Sequence, residues 1–207
     1  CLAYMCRKAT LVVLDSQVWI STLQEQLLSI PGEAATQVLY ATIPLIRASH
    51  TIRDSLVLIL RKALYRKGVE TRKMAVTGFL QFLSNLKIAP FSLSQSSSST
   101  ANSSSIFTQA TLERGSQSSR ASSRTNVAFC QEILIILTKC FSHECEVRQH
   151  LYKGLADAVC VNPELAEPTI DLLLEHFSDF YETDEEVKPP VRFDECSGIA
   201  GLEAVLQ

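Results

Sequence analysis

The sequence predicts an all-α protein, an α-solenoid of antiparallel helices of the HEAT or armadillo type. Apolar residues recur at helical spacing in successive segments of about 15 residues, and most links between these segments are short. The 207 residues include only seven glycines and seven prolines, which is too few for a turn-rich β architecture. Short links place neighbouring helices antiparallel, and stacked pairs of this kind build a solenoid. No strict repeat period is visible, so this assignment depends on helix length and order.

Composition divides the chain into four parts. Residues 1–91 predict a helical solenoid segment, and residues 126–181 predict a second one. Residues 182–207 begin with an acidic run that ends in Pro189-Pro190. We expect an exposed connector there, followed by the start of a further helix from Ile199.

The part between the two helical segments is rich in serine and threonine. Eighteen of the 34 residues from 92 to 125 are Ser or Thr, so we expect a disordered loop that cannot bury enough apolar surface to offset its ordering entropy. Ser94, Thr108 and Ser116 are each followed by Gln, the recognition feature of the DNA-damage checkpoint kinases. The alternative is chance, because a Ser-rich segment with several glutamines produces such pairs anyway.

Charge is distributed unevenly along the chain. Residues 46–77 contain eight basic residues and two acidic ones, whereas residues 141–207 contain fifteen acidic residues and four basic ones. One interpretation is a pair of solvated helix faces. The other is that the basic half meets a negative partner such as nucleic acid or an acidic protein surface.

No pattern typical of an active site, metal centre or membrane span is present. The sequence lacks a Gly-rich phosphate loop, a G-x-S-x-G motif and an H-E-x-x-H motif. Cys140, His143, Cys145 and His150 lie close together, but their spacing matches no zinc finger, so packing is the favoured interpretation. The seven cysteines are odd in number and scattered, as is typical of reduced, buried thiols. We expect no catalytic residue, metal or cofactor and no membrane partner.

Four stretches of sequence carry a resemblance to a known family. They are Ile52-Arg-Asp-Ser-Leu-Val-Leu-Ile-Leu-Arg-Lys-Ala-Leu64, Thr71-Arg-Lys-Met-Ala-Val-Thr-Gly-Phe-Leu80, Phe129-Cys-Gln-Glu-Ile133 and Val147-Arg-Gln-His-Leu-Tyr-Lys-Gly-Leu155. In this order, with a loop of clustered S-Q pairs between the second and third stretches, they closely resemble the central segment of the Fanconi anaemia group I family.

The resemblance implies a set of modified residues and partners. The ubiquitin acceptor of the family falls on Lys62, and Ser94 falls close to the first phosphorylated S-Q serine. Thr108 and Ser116 are S/T-Q sites of the same loop, with a looser alignment. The implied function is a non-enzymatic nuclear scaffold in DNA interstrand-crosslink repair. Its implied partners are the D-type Fanconi paralogue, DNA, ubiquitin, the Fanconi E2 and E3 enzymes and a checkpoint kinase.

The residues around Lys62 suggest an exposed surface independently of the resemblance. At 100° per residue, Lys62 lies about 130° from the centre of the apolar stripe of its helix. Leu58 lies one turn earlier on the same face, and an outward leucine beside an outward lysine is typical of a protein contact. The alternatives are a merely solvated lysine, a peptide-binding scaffold of the transport or phosphatase type, and an enzyme that uses Cys140 with His143 or His150.

Overall fold

The computed structural model of the chain describes residues 1–85, 119–184, 186–192, 197–200 and 203–206. In these ranges the chain forms helices that cover more than half of its length, with one short hairpin at the end. The helices are α1 (Leu2–Lys8), α2 (Thr10–Asp15), α3 (Gln17–Gln26), α4 (Gly32–Ala48), α5 (His50–Leu64), α6 (Val69–Asn85), α7 (Ser119–Thr138), α8 (Cys145–Val161) and α9 (Ala166–Ser178). Short 3₁₀ helices at Lys139–Ser142 and Pro163–Leu165 precede α8 and α9. The predicted helical solenoid class is confirmed.

Helix α6 is the centre of the main core. It packs against α4, α5, α7 and α8, and most of its length is buried because nearly every turn carries large apolar side chains. Two glycines allow the closest approaches. A Cβ at Gly78 would lie 2.5 Å from Cδ1 of Leu60 on α5, and a Cβ at Gly154 on α8 would lie 2.1 Å from Cδ1 of Leu80. The absence of these two methyl groups therefore sets the spacing of α5 and α8 against α6.

Polar contacts also connect α6 to its neighbours. The Arg72 guanidinium donates a hydrogen bond to the Arg66 carbonyl oxygen over 3.1 Å and pairs with the Glu144 carboxylate at the start of α8. One turn and a half further on, the Thr77 hydroxyl is hydrogen-bonded to Nε2 of His150 over 2.8 Å. The contacts with Glu144 and His150 join residues more than 70 positions apart in sequence and hold the two helical segments as neighbours.

A smaller core lies between the first three helices and the adjoining ends of α4 and α5. Its fully or nearly fully buried residues are Cys6, Val13, Ile20, Leu45 and Ile52. The amide Nε2 of Gln24 donates to the backbone carbonyl of Ile52 over 3.1 Å and ties α3 to α5. The N-terminal helices therefore continue the same stack.

The predicted loop boundary at Thr125 was wrong. Residues 92–118 of the predicted loop lie outside the described residues, but Ser119–Thr125 form the first turns of α7. Apolar periodicity begins only near Val127, so a prediction based on apolar spacing did not include these polar turns. Extending an existing helix costs much less than nucleating a new one, so a polar stretch can join a helix that packing has already formed.

The further helix predicted from Ile199 is also wrong. Strand β1 (Ser197–Ala200) pairs antiparallel with β2 (Glu203–Leu206), with Ile199 opposite Ala204. Gly198 and Gly201 lower the helical propensity of so short a segment, and glycine favours hairpin turns. The all-α prediction therefore holds for the stacked helices but not for the last residues.

The acidic connector is exposed along most of its described length, and its two ends meet. An isolated bridge joins Tyr181 to Val191, and the Glu182 amide donates to the Pro190 carbonyl oxygen over 3.0 Å. Nε of Arg192 lies 3.6 Å from Oε2 of Glu182. The end of the connector therefore returns to the residues that directly follow α9 before the hairpin begins.

Candidate functional site

Helix α5 presents Lys62 to solvent while most of its other faces are buried. Its N-cap is Ser49, whose side-chain oxygen accepts a hydrogen bond from the Ile52 amide over 3.4 Å. Leu56, Leu60 and most other apolar residues of α5 lie in the main core. Lys62 is exposed, so the predicted outward face is confirmed.

Three large apolar side chains are exposed on α5 and on the neighbouring helix α7. The exposed fraction is 56% for Leu58 and 75% for Tyr65, which lie four residues before and three residues after Lys62 on α5. Ile135 of α7 is 64% exposed and, with Tyr65, lines a cavity of about 390 Å³ between the two helices. We call Leu58, Lys62, Tyr65 and Ile135 the α5 patch. The spacing of Leu58, Lys62 and Tyr65 along α5 could have predicted that Tyr65 belongs to this surface. Ile135 could be assigned to it only from the position of α7 in the structure.

An ion pair beside the α5 patch joins α5 to α7. Nη2 of Arg61 lies 2.5 Å from Oε1 of Glu132, and both residues line the same cavity. Burial raises the pKa of the Glu132 carboxyl, and the charge and hydrogen bond of Arg61 oppose this effect only in part. The pair therefore links α5 to α7 one residue before Lys62 in the sequence.

The basic run of the sequence does not form one continuous surface. Arg53 and Arg72 are buried, and Arg61 and Lys73 are paired with Glu132 and Glu70. The exposed members of the run are Arg47, Lys62, Arg66 and Lys67. The positive charge available to a partner is therefore about half of what the sequence count indicates.

The cysteine and histidine group near residue 145 has separate structural roles. Cys140 is fully buried in the core, and burial raises the pKa of its thiol to about 12. His150 is hydrogen-bonded to Thr77, and burial lowers its pKa. Over the part of the chain that the structure describes, no three His, Cys, Asp or Glu side chains are grouped to hold a metal ion. A thiol with so high a pKa is a poor nucleophile near neutral pH.

Comparison with known proteins identifies the family. The model of Fanconi anaemia group I (FANCI) solenoid 2 matches residues 1–80, and the model of FANCI helical domain 2 matches residues 96–207. The chain belongs to the Fanconi anaemia group I protein family. It is 33% identical to the Fanconi anaemia group I protein of Gallus gallus over 96% of its length, and 33% identical to the homologue of Mus musculus over 86%.

The chain corresponds to a limited part of these Fanconi relatives. It spans 14% of the chicken protein and 13% of the mouse protein. In this family member, Lys62 lies on the exposed side of α5, and Ser94, Thr108 and Ser116 lie outside the described residues. No helix in the described ranges is both long and apolar enough to cross a membrane.

Proposed function

We propose that the chain is a non-enzymatic scaffold segment of a Fanconi-pathway protein that acts in DNA interstrand-crosslink repair and is monoubiquitinated at Lys62. The observation that supports this most directly is the placement of Lys62. It is exposed between the exposed Leu58 and Tyr65, on a helix whose opposite face lies in the main core. A lysine on a rigid, packed helix can be presented in one orientation to a modifying enzyme.

The chemistry requires little from the chain itself. The Lys62 amine attacks the thioester carbonyl that links ubiquitin to the E2 cysteine, the thiolate leaves, and an isopeptide bond forms as the amine loses a proton to solvent. The catalytic groups belong to the E2 and E3 enzymes. The chain contributes an accessible nucleophile, and Leu58, Tyr65 and Ile135 contribute apolar area for a protein that approaches it.

The proposed partners follow from the family. The protein acts in the nucleus with the D-type Fanconi paralogue as a heterodimer on DNA, and a checkpoint kinase phosphorylates Ser94, Thr108 or Ser116. Each phosphate adds a charge of about −1.5 to −2. Arg47 has an exposed side chain in α4, in the same stack of helices that precedes the Ser-rich segment in sequence. Its positive charge is therefore available to attract a phosphate group on that segment.

The test is reconstituted ubiquitination of the full-length protein with its paralogue, DNA and purified Fanconi E2 and E3 enzymes. Mass spectrometry is expected to find the isopeptide bond at Lys62, and Lys62→Arg is expected to remove it. Lys67→Arg is the matched control, because Lys67 is an exposed lysine just beyond the end of the same helix. An unchanged ubiquitin yield in Lys62→Arg would refute the assignment.

The proposed regulation of ubiquitination by phosphorylation is tested separately in cells. Alanine at Ser94, Thr108 and Ser116 together is expected to reduce ubiquitination after crosslinking damage, and aspartate at the same positions is expected to restore part of it. Normal modification of the triple-alanine protein would contradict the role of the kinase.

A further inference from the structure

A large cavity lies at the N-terminal end of α5, on a different part of the molecule from the α5 patch. It has a volume of about 820 Å³ and is lined by residues of α4, α5 and α6 together with Asn126 of α7 and the end of α8. The basic side chains that line it are Arg47, His50 and Arg53. No Asp or Glu is among the lining residues that the structure describes.

Arg53 is a buried cation within this lining. It is only 6% exposed, and its Nε has no hydrogen-bond partner. The nearest carboxylate is that of Asp54, with Oδ1 at 3.5 Å from Nε, and the guanidinium lies over the Phe129 ring, 4.8 Å from its centroid. Burying a charge is costly unless it is well paired. One neighbouring carboxylate and one aromatic face leave the guanidinium able to accept a further anionic partner.

The other two basic residues lie near Arg53. Arg47 is exposed, and its guanidinium donates to Oδ1 of Asn85 rather than to a carboxylate. The pKa of His50 is lowered first by burial and then by the charge of Arg53, while Asp54 opposes this. His50 and Arg53 also lie in the first turn of α5, where the helix dipole favours negative charge. Arg47, the buried Arg53 and the N-terminal end of α5 thus make the cavity suited to an anion.

We propose that this cavity binds a phosphate monoester, and that its occupant is phosphorylated Ser94 of the same chain. This inference rests on the proposed phosphorylation of the Ser-rich segment. Asn85, which lines the cavity, is followed nine residues later by Ser94, and nine residues span at most about 30 Å. Such a short tether gives the phosphate a high effective concentration at the cavity. Arginine guanidinium groups match phosphate oxygens in a bidentate arrangement.

The shape of the site favours a phosphorylated side chain over the backbone of a nucleic acid. Arg53 is reached only by a group that enters the cavity, because its side chain is almost completely buried. A phosphoserine side chain is narrow and carries its charge at its tip. A duplex presents its phosphates along a broad, convex surface and would meet Arg47 alone.

Binding at this cavity leaves the α5 patch uncovered. Lys62 follows His50 by twelve residues on the same helix, which corresponds to about 18 Å along the axis at 1.5 Å per residue. Docked phosphoserine would therefore hold Ser94 next to α4, α5 and α6 without blocking Lys62.

The experiment measures binding of a peptide to the full-length, phosphatase-treated protein. The fluorescent probe copies residues 88–100 with phosphoserine at position 94, and the same peptide with unmodified serine is the reference. The phosphopeptide is expected to bind at least about tenfold more tightly. Arg47→Gln is expected to remove most of this preference, and Arg66→Gln, an exposed arginine outside the cavity, is expected to leave it unchanged.

Arg53→Gln provides a second variant, and its melting curve shows whether it is folded. A folded Arg53→Gln protein that keeps the full phosphate preference would overturn the proposal, as would equal affinity for the two peptides. A duplex oligonucleotide that displaces the phosphopeptide, and that itself binds less tightly to Arg47→Gln, would also overturn it by assigning the cavity to nucleic-acid phosphates.

This test is separate from the proposed ubiquitination. The synthetic phosphopeptide needs no kinase, and its binding does not depend on whether Lys62 is the acceptor. Loss of phosphopeptide binding would leave the Lys62 assignment untouched, and loss of ubiquitination at Lys62 would leave the cavity as a phosphate site.

Discussion

Two leucines of α5, two residues apart, test the orientation of the helix that presents Lys62. Leu60 is completely buried and packs directly against Gly78 of α6. Leu58 is 56% exposed. The change of each leucine to alanine removes the same atoms and alters the helical propensity equally, so the difference between the two variants reports burial alone.

The structure predicts a large difference in unfolding free energy. Leu60→Ala removes buried methyl groups and leaves a cavity against α6, which costs about 2–5 kcal/mol. Leu58→Ala loses less than half of the transfer free energy of a leucine side chain, or about 1 kcal/mol at most. In a domain of this size, about 1 kcal/mol shifts the melting temperature by roughly 2–4 °C. We therefore expect a fall of roughly 4–20 °C for Leu60→Ala and less than about 4 °C for Leu58→Ala.

The assay is thermal and urea unfolding of the 207-residue chain, followed by far-UV circular dichroism. The urea midpoint should fall for Leu60→Ala with little change in the slope of the transition. Equal shifts for the two variants, or a larger shift for Leu58→Ala, would show that α5 is rotated about its axis and that Leu60 is not the leucine that faces α6. The assignment of Lys62 to an outward surface would then fail with it.

Three further predictions concern single side chains. Lys62→Arg should change the unfolding free energy by no more than about 0.5 kcal/mol, because the residue is exposed; a large fall in melting temperature would show that Lys62 is structural. Iodoacetamide at pH 8 should alkylate the exposed Cys160 in the folded chain and spare Cys140, whose pKa burial raises to about 12; rapid labelling of Cys140, read by mass spectrometry, would contradict its burial. Burial lowers the pKa of His150 below 6.5 in the folded chain, so the unfolded chain takes up the proton first and stability should fall as the pH drops from 7.5 to 5.5. His150→Gln should reduce this pH dependence of the melting temperature, and an unchanged dependence would place the titrating group elsewhere.

The helices and the outward direction of Lys62 could be predicted from the sequence because both depend on local spacing. Residues three and four apart on a helix share a face, so the buried stripe around Leu56 and Leu60 also assigns the opposite side to solvent. The family was recognisable for the same reason, since its characteristic stretches are continuous in sequence. Element ends were less predictable. Ser119 begins a helix without apolar periodicity, and the last residues around Ile199 were too short a segment to distinguish helix from hairpin by pattern.

The sequence by itself determined the helical class, the order of the helices, the family and the exposed face of α5. Only the tertiary structure decided which distant side chains meet. Arg61 pairs with Glu132 across 71 residues, and the anion-suited cavity combines residues from α4 to α8. The physical reason is that periodicity records which side of a helix is buried, whereas the partner of that side depends on how several helices pack at once. The burial of Arg53 inside a cavity therefore has no signature in a run of basic residues.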